Sequence, residues 1–302
     1  MKICIIAEGC YPYVVGGVSG WINNLICSFP RVSFSVLAII SDRSISKKFQ
    51  YTLPENVTEV HEVYLNDCEW TGKGKSRKHC HLSAKEAAAL KSLLLGKDTD
   101  WVTLTTLLQS RKFSLNALLM GPDFLDAVIE CYEEKHSEIV FSDFLWTMRS
   151  MYLPLFLAMQ SDLPKADLYH CVATGYSGVL GSMAKLLHPE SALLISEHGI
   201  YTREREEEII KASWIRGLYK NLWIEQFAKM SHVHVSGCFH RPHLLAAVRH
   251  RFCGAGSHDL ESRLHLVCRG QCRCPAQLPA GAVVPGAGGG IYRRQRPLPA
   301  GL

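Results

Sequence analysis

Apolar positions along the chain fall into two kinds, short continuous runs and helical repeats, and the two alternate over most of its length. Lys2-Ile3-Cys4-Ile5-Ile6-Ala7 is a short run of the kind that forms a strand buried on both faces. Val18, Trp21, Ile22, Leu25, Ile26 and Phe29 then recur at spacings of three and four, which is one apolar face of a helix. Phe34–Ile40 reads as a second strand, and the partial alternation of Val57–Leu65 reads as a third, at a sheet edge. Ser83-Ala84-Lys85-Glu86 is a capping box ahead of an alanine- and leucine-rich helix. Further helices are predicted near Thr99–Gln109, from Asp123 to about Lys135 and from Asp143 to about Gln160, with Gly121-Pro122-Asp123 as a start signal. Residues 83–160 thus form a helical insert, in which leucines and aromatics at helical spacing pack a core. Strand patterns return at Asp167–Val172 and Ala192–Ser196, with a helix to about Leu187 between them and two more helical stretches after Ile200. Alternating strands and helices imply an α/β fold whose mostly parallel sheet is covered on both faces.

The pattern fades near Ser236. Residues 237–302 hold nine Arg, no Lys and two acids, with scattered prolines and the run Gly286-Ala287-Gly288-Gly289-Gly290. We therefore divide the chain into a domain at 1–236 and an irregular tail at 237–302, which is either disordered or the product of a shifted reading frame. The tail carries a balance of +7 within a net charge of +5, so the body is close to neutral and gives no argument for a nucleic-acid partner.

Twelve cysteines are present. The N-terminal apolar run is too short for a secretory signal and ends at Glu8, and no run approaches the roughly 18 residues of a membrane span. A reducing cytoplasm with free thiols is the expectation, with Cys4, Cys27 and Cys171 as small core residues. Cys68 with His79-Cys80-His81, and Cys268 with Cys272 and Cys274, match no common zinc spacing, so no metal is expected.

Candidate chemistry lies in three loops that follow strand ends: Glu8–Gly17, His170–Gly178 and Glu197–Arg205. In an open parallel sheet, ligands bind beyond the carboxyl ends of the strands, so all three loops face one crevice. Gly16 and Gly17 either bring backbone N–H groups and the following helix dipole up to a phosphate or simply join strand to helix. His198 either meets a sugar hydroxyl or phosphate or hydrogen-bonds its own loop. Glu197 orients that imidazole or pairs with Arg203 or Arg205, and the Arg203–Glu206 run reads as a solvated helix start. Tyr11 and Tyr13 either wall a sugar ring or pack their loop. His170 and Thr174-Gly175 border the acceptor side or serve as buried structure.

The stretch Glu8-Gly9-Cys10-Tyr11-Pro12-Tyr13-Val14-Val15-Gly16-Gly17-Val18-Ser19-Gly20-Trp21 resembles the first loop of PelF-type family 4 glycosyltransferases. Ser196-Glu197-His198-Gly199-Ile200-Tyr201-Thr202-Arg203-Glu204-Arg205 is similar to the second signature of that group. Tyr169-His170, Thr174-Gly175-Tyr176, Asp143-Phe144-Leu145-Trp146 and Arg149-Ser150-Met151 resemble it too, so the likeness covers about residues 1–235. It implies the N-terminal, Rossmann-like half of a GT-B fold. It also implies retaining transfer of a sugar from a UDP-sugar donor, UDP-glucose, to a saccharide acceptor, in a soluble cytoplasmic protein that serves Pel exopolysaccharide assembly for biofilms. A membrane-bound synthesis complex would be the partner, and no cofactor is implied beyond the donor substrate. Carried over by motif, His198 is catalytic, Gly16 and Gly17 approach the diphosphate, and Tyr11, His170 and Glu197 bind substrate. The family's uridine pocket, basic diphosphate grip and paired glutamates are not recognisable after Ser236. The expectation is an acceptor-side half-enzyme, inactive alone; the alternative is a non-catalytic saccharide- or protein-binding module.

Overall fold

A computed structural model describes residues 1–41, 43–67, 80–96, 98–237, 245–249 and 265–266, the backbone alone for 232–237, 245–249 and 265–266. The chain starts with β1 (Lys2–Glu8), α1 (Gly17–Ser28), β2 (Ser33–Ile40) and β3 (Val57–Tyr64). The helical insert follows: α2 (Ala84–Leu95), α3 (Trp101–Gln109), α4 (Leu115–Leu119), α5 (Pro122–Lys135) and α6 (Phe141–Met159). Then come β4 (Leu168–Cys171), α7 (Tyr176–Leu187), β5 (Ala192–Glu197), α8 (Tyr201–Lys211), α9 (Tyr219–Gly237), β6 (Leu245–Arg249) and β7 (His265–Leu266). The strands form one sheet in the order β3-β2-β1-β4-β5-β6-β7. All pairs are parallel except β6 with β7.

This is the mostly parallel α/β sheet expected from the pattern, in the Rossmann-like arrangement that the resemblance implies, with β3 at the edge and the helical insert between β3 and β4. The order reverses direction at β1, which pairs β2 on one side and β4 on the other. That reversal opens the crevice in which such sheets bind ligands. The pattern did not predict α4, a five-residue helix capped by Ser114, whose side chain accepts from Ala117 N–H. β6 lies beyond Ser236 and pairs Leu193–Glu197 in register. The chain divides into Met1–Arg269 and Gly270–Leu302. The second unit, and with it the tail's glycine run and Cys272 and Cys274, lies outside the described residues, as do Cys268, Cys68 and His79.

Two cores sandwich the sheet because a strand sends alternate side chains to opposite faces. Ile5 and Ala7 of β1 join Val36, Ala38 and Ile40 of β2 against Ile22 and Ile26 of α1. Cys4 and Ile6, with Leu37, Ile39, Tyr169, Cys171, Leu193 and Ile195, face the insert and α7. The insert is anchored by Tyr152 and Phe156 of α6, both fully buried. The capping box of α2 forms in full: Glu86 N–H donates to Ser83 Oγ at 3.3 Å, and Ser83 N–H donates to Glu86 Oε2 at 2.8 Å. Arg149 is buried in α6, where its Nε donates to Leu119 O at 2.8 Å and its guanidinium lies over Trp146.

Cys4 and Cys171 are core residues as expected, but Cys27 is exposed. The helix period explains the correction. Ser19, Ile22 and Ile26 define the inward face of α1, and Cys27, one residue past Ile26, turns outward. All six described cysteines are free thiols. Among the described residues no helix is long and apolar enough to cross a membrane, and no group of three or more His, Cys, Asp or Glu side chains is placed to hold a metal ion.

Glu62 on β3 ties the first loop to the sheet edge. It accepts from the Tyr13 and Tyr64 hydroxyls, from Ser46 Oγ at 2.7 Å and from Lys47 N–H at 2.8 Å. Partial burial works to raise its pKa, but these four donors outweigh that and hold it down at about 2. A depressed carboxyl contributes stability that is complete above its ordinary value of 4.5 and is lost as pH falls toward 2. Glu62→Gln should therefore flatten the loss of stability between pH 4.5 and pH 2, measured as urea midpoints at each pH. Equal slopes for the two proteins across that window would refute this role.

Candidate functional site

β1, β4 and β5 end side by side, and the turns that leave them enclose a cavity of about 170 Å³. Its walls are Glu8 at the end of β1 with Cys10 beyond it, Val18 of α1, Val172–Thr174 after β4, Glu197 at the end of β5 with His198 and Gly199 beyond it, and Tyr201, Glu204 and Arg205 of α8. The three loops singled out by position do converge, because parallel strands start in step and so finish at one edge.

Glu8 stands at the centre. It is the last residue of β1, so its side chain leaves the sheet where the strand order reverses. Its carboxylate accepts from Tyr201 Oη at 3.1 Å and from Ser177 N–H, at the start of α7, at 3.4 Å. Desolvation by the surrounding protein pushes its pKa up to about 7, against the pull of Arg205 and of these two donors. Desolvation, and then the Glu8 charge, also drive the Tyr201 and Tyr176 phenols upward.

His198 lies on the cavity wall, and its ring meets Trp21 of α1 edge to face at 4.4 Å between centroids. Glu197 beside it accepts from Thr174 Oγ1 at 2.9 Å, which joins the β4 and β5 turns. The α8 arginines separate by helix face. Arg203 is 72 % exposed and pairs with Glu207 one turn on. Arg205 is 31 % exposed, lines the cavity, lies over the Tyr201 ring and bonds Glu208 through Nη1 at 2.9 Å. Its Nε is shielded from solvent and has no hydrogen-bond partner among the described residues. The solvated-start reading thus fits Arg203 and fails for Arg205.

Tyr11 and His170 sit elsewhere. Tyr11 is 0 % exposed and packs in the core beneath the first loop, tilted on Tyr51 at 5.2 Å. Its hydroxyl donates to Asn23 Oδ1 at 3.3 Å. Tyr13 packs edge to face on Phe49. Both rings pack the loop, and neither lines the cavity. His170 is 5 % exposed within β4, 2.7 Å from Ser196 Oγ on β5, with Trp21 against its edge. It supports the wall from behind.

Gly16 and Gly17 open α1 next to Val18. Gly16 is extended, no side chain caps the helix start, and the first turn holds no acid. A Cβ at either glycine would meet nothing within 4 Å, so neither side of this turn is crowded. They border the cavity without lining it.

Sequence reasoning passed over Glu8, Trp21, Tyr201 and Arg205 as site residues. Glu8 carried a usable signal: a carboxylate directly after a strand buried on both faces, at the first switch of an α/β pattern. Trp21 was hidden among core positions of α1, and it meets the site through the His198 ring rather than by lining the cavity.

The family described as "Domain of unknown function (DUF3492)" matches residues 1–246. No curated protein and no solved structure matches the chain. The match ends within β6, so it takes in the ends of β1, β4 and β5 and every wall residue of the cavity. By that coverage the chain belongs to the DUF3492 family, the domain that corresponds to the N-terminal region of PelF-type family 4 glycosyltransferases.

Proposed function

We propose that this chain is the acceptor-side domain of a cytoplasmic, retaining glycosyltransferase that moves glucose from UDP-glucose to a growing exopolysaccharide of the Pel type. The observation that carries the reading is one cavity, at the strand-order reversal of a DUF3492 domain, walled by both long signature loops and by His198. Donor-sugar transfer builds negative charge on the diphosphate oxygens and positive charge on the sugar. A preorganised set of donors and acceptors lowers the energy of that state. His198 would contact the donor sugar, held in place by the Trp21 ring. Gly16 and Gly17 would admit the diphosphate to the open start of α1. Glu197 and Thr174 would bind sugar hydroxyls, and Arg205, which lines the cavity, would supply a guanidinium donor.

The cavity balance favours a sugar over a phosphate at the inner wall: Glu8, Glu197 and Glu204 face one guanidinium, that of Arg205. Carboxylates accept from hydroxyls and repel phosphates. The charge of a diphosphate would then be met chiefly by a second, basic domain across the cleft, and transfer would require it. The same balance supports the second reading, a saccharide-binding module without chemistry.

Saturation-transfer NMR of the chain with UDP-glucose and with a gluco-oligosaccharide tests the reading. Saturation should reach the sugar protons. His198→Ala should weaken binding about 2- to 10-fold, the loss of one hydrogen bond of roughly 0.5–1.5 kcal/mol. No transfer to either ligand would refute any saccharide role. Transfer that is indifferent to His198→Ala would remove His198 from the site.

A further inference from the structure

We infer that Glu8 is the positioning residue of this cleft: through Tyr201 it holds the His198 loop against β1, and gaining or losing its proton loosens or tightens that hold. The inference rests on the saccharide reading of the cavity and assigns its control.

The geometry is a three-way tie. Glu8 ends β1, Ser177 N–H belongs to the first turn of α7 after β4, and Tyr201 opens α8 two residues past Gly199. One carboxylate thus joins the exits of β1, β4 and β5, the same three that wall the cavity. Ser177 is fixed from the other side, since its Oγ donates to Ile6 O at 2.8 Å. The Tyr201 ring is seated over Gly175, where a Cβ would lie 2.1 Å from it. From that seat its hydroxyl meets Glu8. His198 lies three residues before Tyr201 on a short turn, so displacement of Tyr201 moves the imidazole relative to Trp21.

The charged and titratable groups facing Glu8 are Arg205 and Tyr201 from α8, Tyr176 from α7 and Cys10 from its own loop. Glu197, His198 and Glu204 share the cavity. Burial brings the Glu8 carboxyl up to about 7, within the ordinary working range of an enzyme. Ionised, it takes charge-assisted hydrogen bonds from Tyr201 and Ser177, about twice as strong as neutral ones. Protonated, it holds both more weakly. The His198 loop is therefore tighter at pH 8 than at pH 6.

Amide NMR of the full chain carrying His198→Gln tests this, the substitution removing the neighbouring imidazole's own titration. The Ser177 and Gly199 amide signals should share an inflection near pH 7. Adding Glu8→Gln should abolish it at both. Adding Tyr201→Phe, which keeps the ring over Gly175 and removes the hydroxyl, should preserve it at Ser177 and abolish it at Gly199. A Gly199 signal with the same inflection in all three proteins overturns the inference. If Glu8→Gln does not fold, Tyr201→Phe decides alone, and an unchanged Gly199 profile overturns it. A wild-type Gly199 signal that ignores UDP-glucose counts against the glycosyltransferase reading and leaves the clamp intact.

Discussion

Tyr11→Ala is expected to destabilise the fold by about 3–5 kcal/mol, the cost of emptying a buried aromatic site. The ring is fully enclosed by the core between α1 and the first loop, tilted on Tyr51. Its burial pushes the phenol up to about 12. Tyr11→Phe keeps the ring and loses the hydrogen bond to Asn23, at roughly 0.5–1.5 kcal/mol. The pair separates packing from ligand contact. A residue that packs the loop makes the alanine protein unstable and leaves the phenylalanine protein binding sugar like the wild type. If Tyr11→Ala kept its urea midpoint while saccharide binding disappeared, the ring would have to be a cleft wall, and the packing account would be false.

Gly175→Ala is the second large effect, about 2–6 kcal/mol. Two costs combine. Gly175 has φ of +72°, where a side chain strains the backbone by roughly 1–3 kcal/mol. A Cβ there would also stand 2.1 Å from the Tyr201 ring, and overpacking costs roughly 1–3 kcal/mol more. Denaturant midpoints of Gly175→Ala, Tyr201→Ala and the double variant separate the two. Removing the ring should relieve the clash and leave the strain, so the double variant should cost less than the sum of the singles. Additive costs would mean that the ring does not press on this turn. A Gly175→Ala protein within 0.5 kcal/mol of wild type would contradict both terms. Loss of the ring also removes the Glu8 contact, so sugar binding and stability should fall together in Tyr201→Ala.

The charge balance of the cavity frames these results functionally. One guanidinium among three carboxyl groups makes the inner wall a place for hydroxyl groups. Site variants should therefore change saccharide binding more than they change the binding of free phosphate.

Much of this protein was legible in local sequence, because the forces concerned act over a few residues. Lys2–Ala7 and Phe34–Ile40 read as strands since an unbroken apolar run suits a strand covered on both faces. The start of α2 could be read to the residue because Ser83 and Glu86 satisfy each other's backbone within one turn. The convergence of three strand-end loops follows from the βα rhythm alone, and with it the placing of His198 and Glu197 on one cavity.

What the local pattern left open is the direction in which each side chain of those loops points, since that is set by partners far along the chain. Tyr11 turns inward because Tyr51, forty residues on, covers it; His170 is held within the sheet by Ser196 of the neighbouring strand. The setting of Glu8 is made by Ser177 and Tyr201, 169 and 193 residues away. Burial of a charge depends on the whole surrounding surface, and no window of sequence contains that surface. Short-range patterning thus accounts for the elements and for the edge of the sheet that carries the site. Long-range packing alone settles which of the residues at that edge face the cavity.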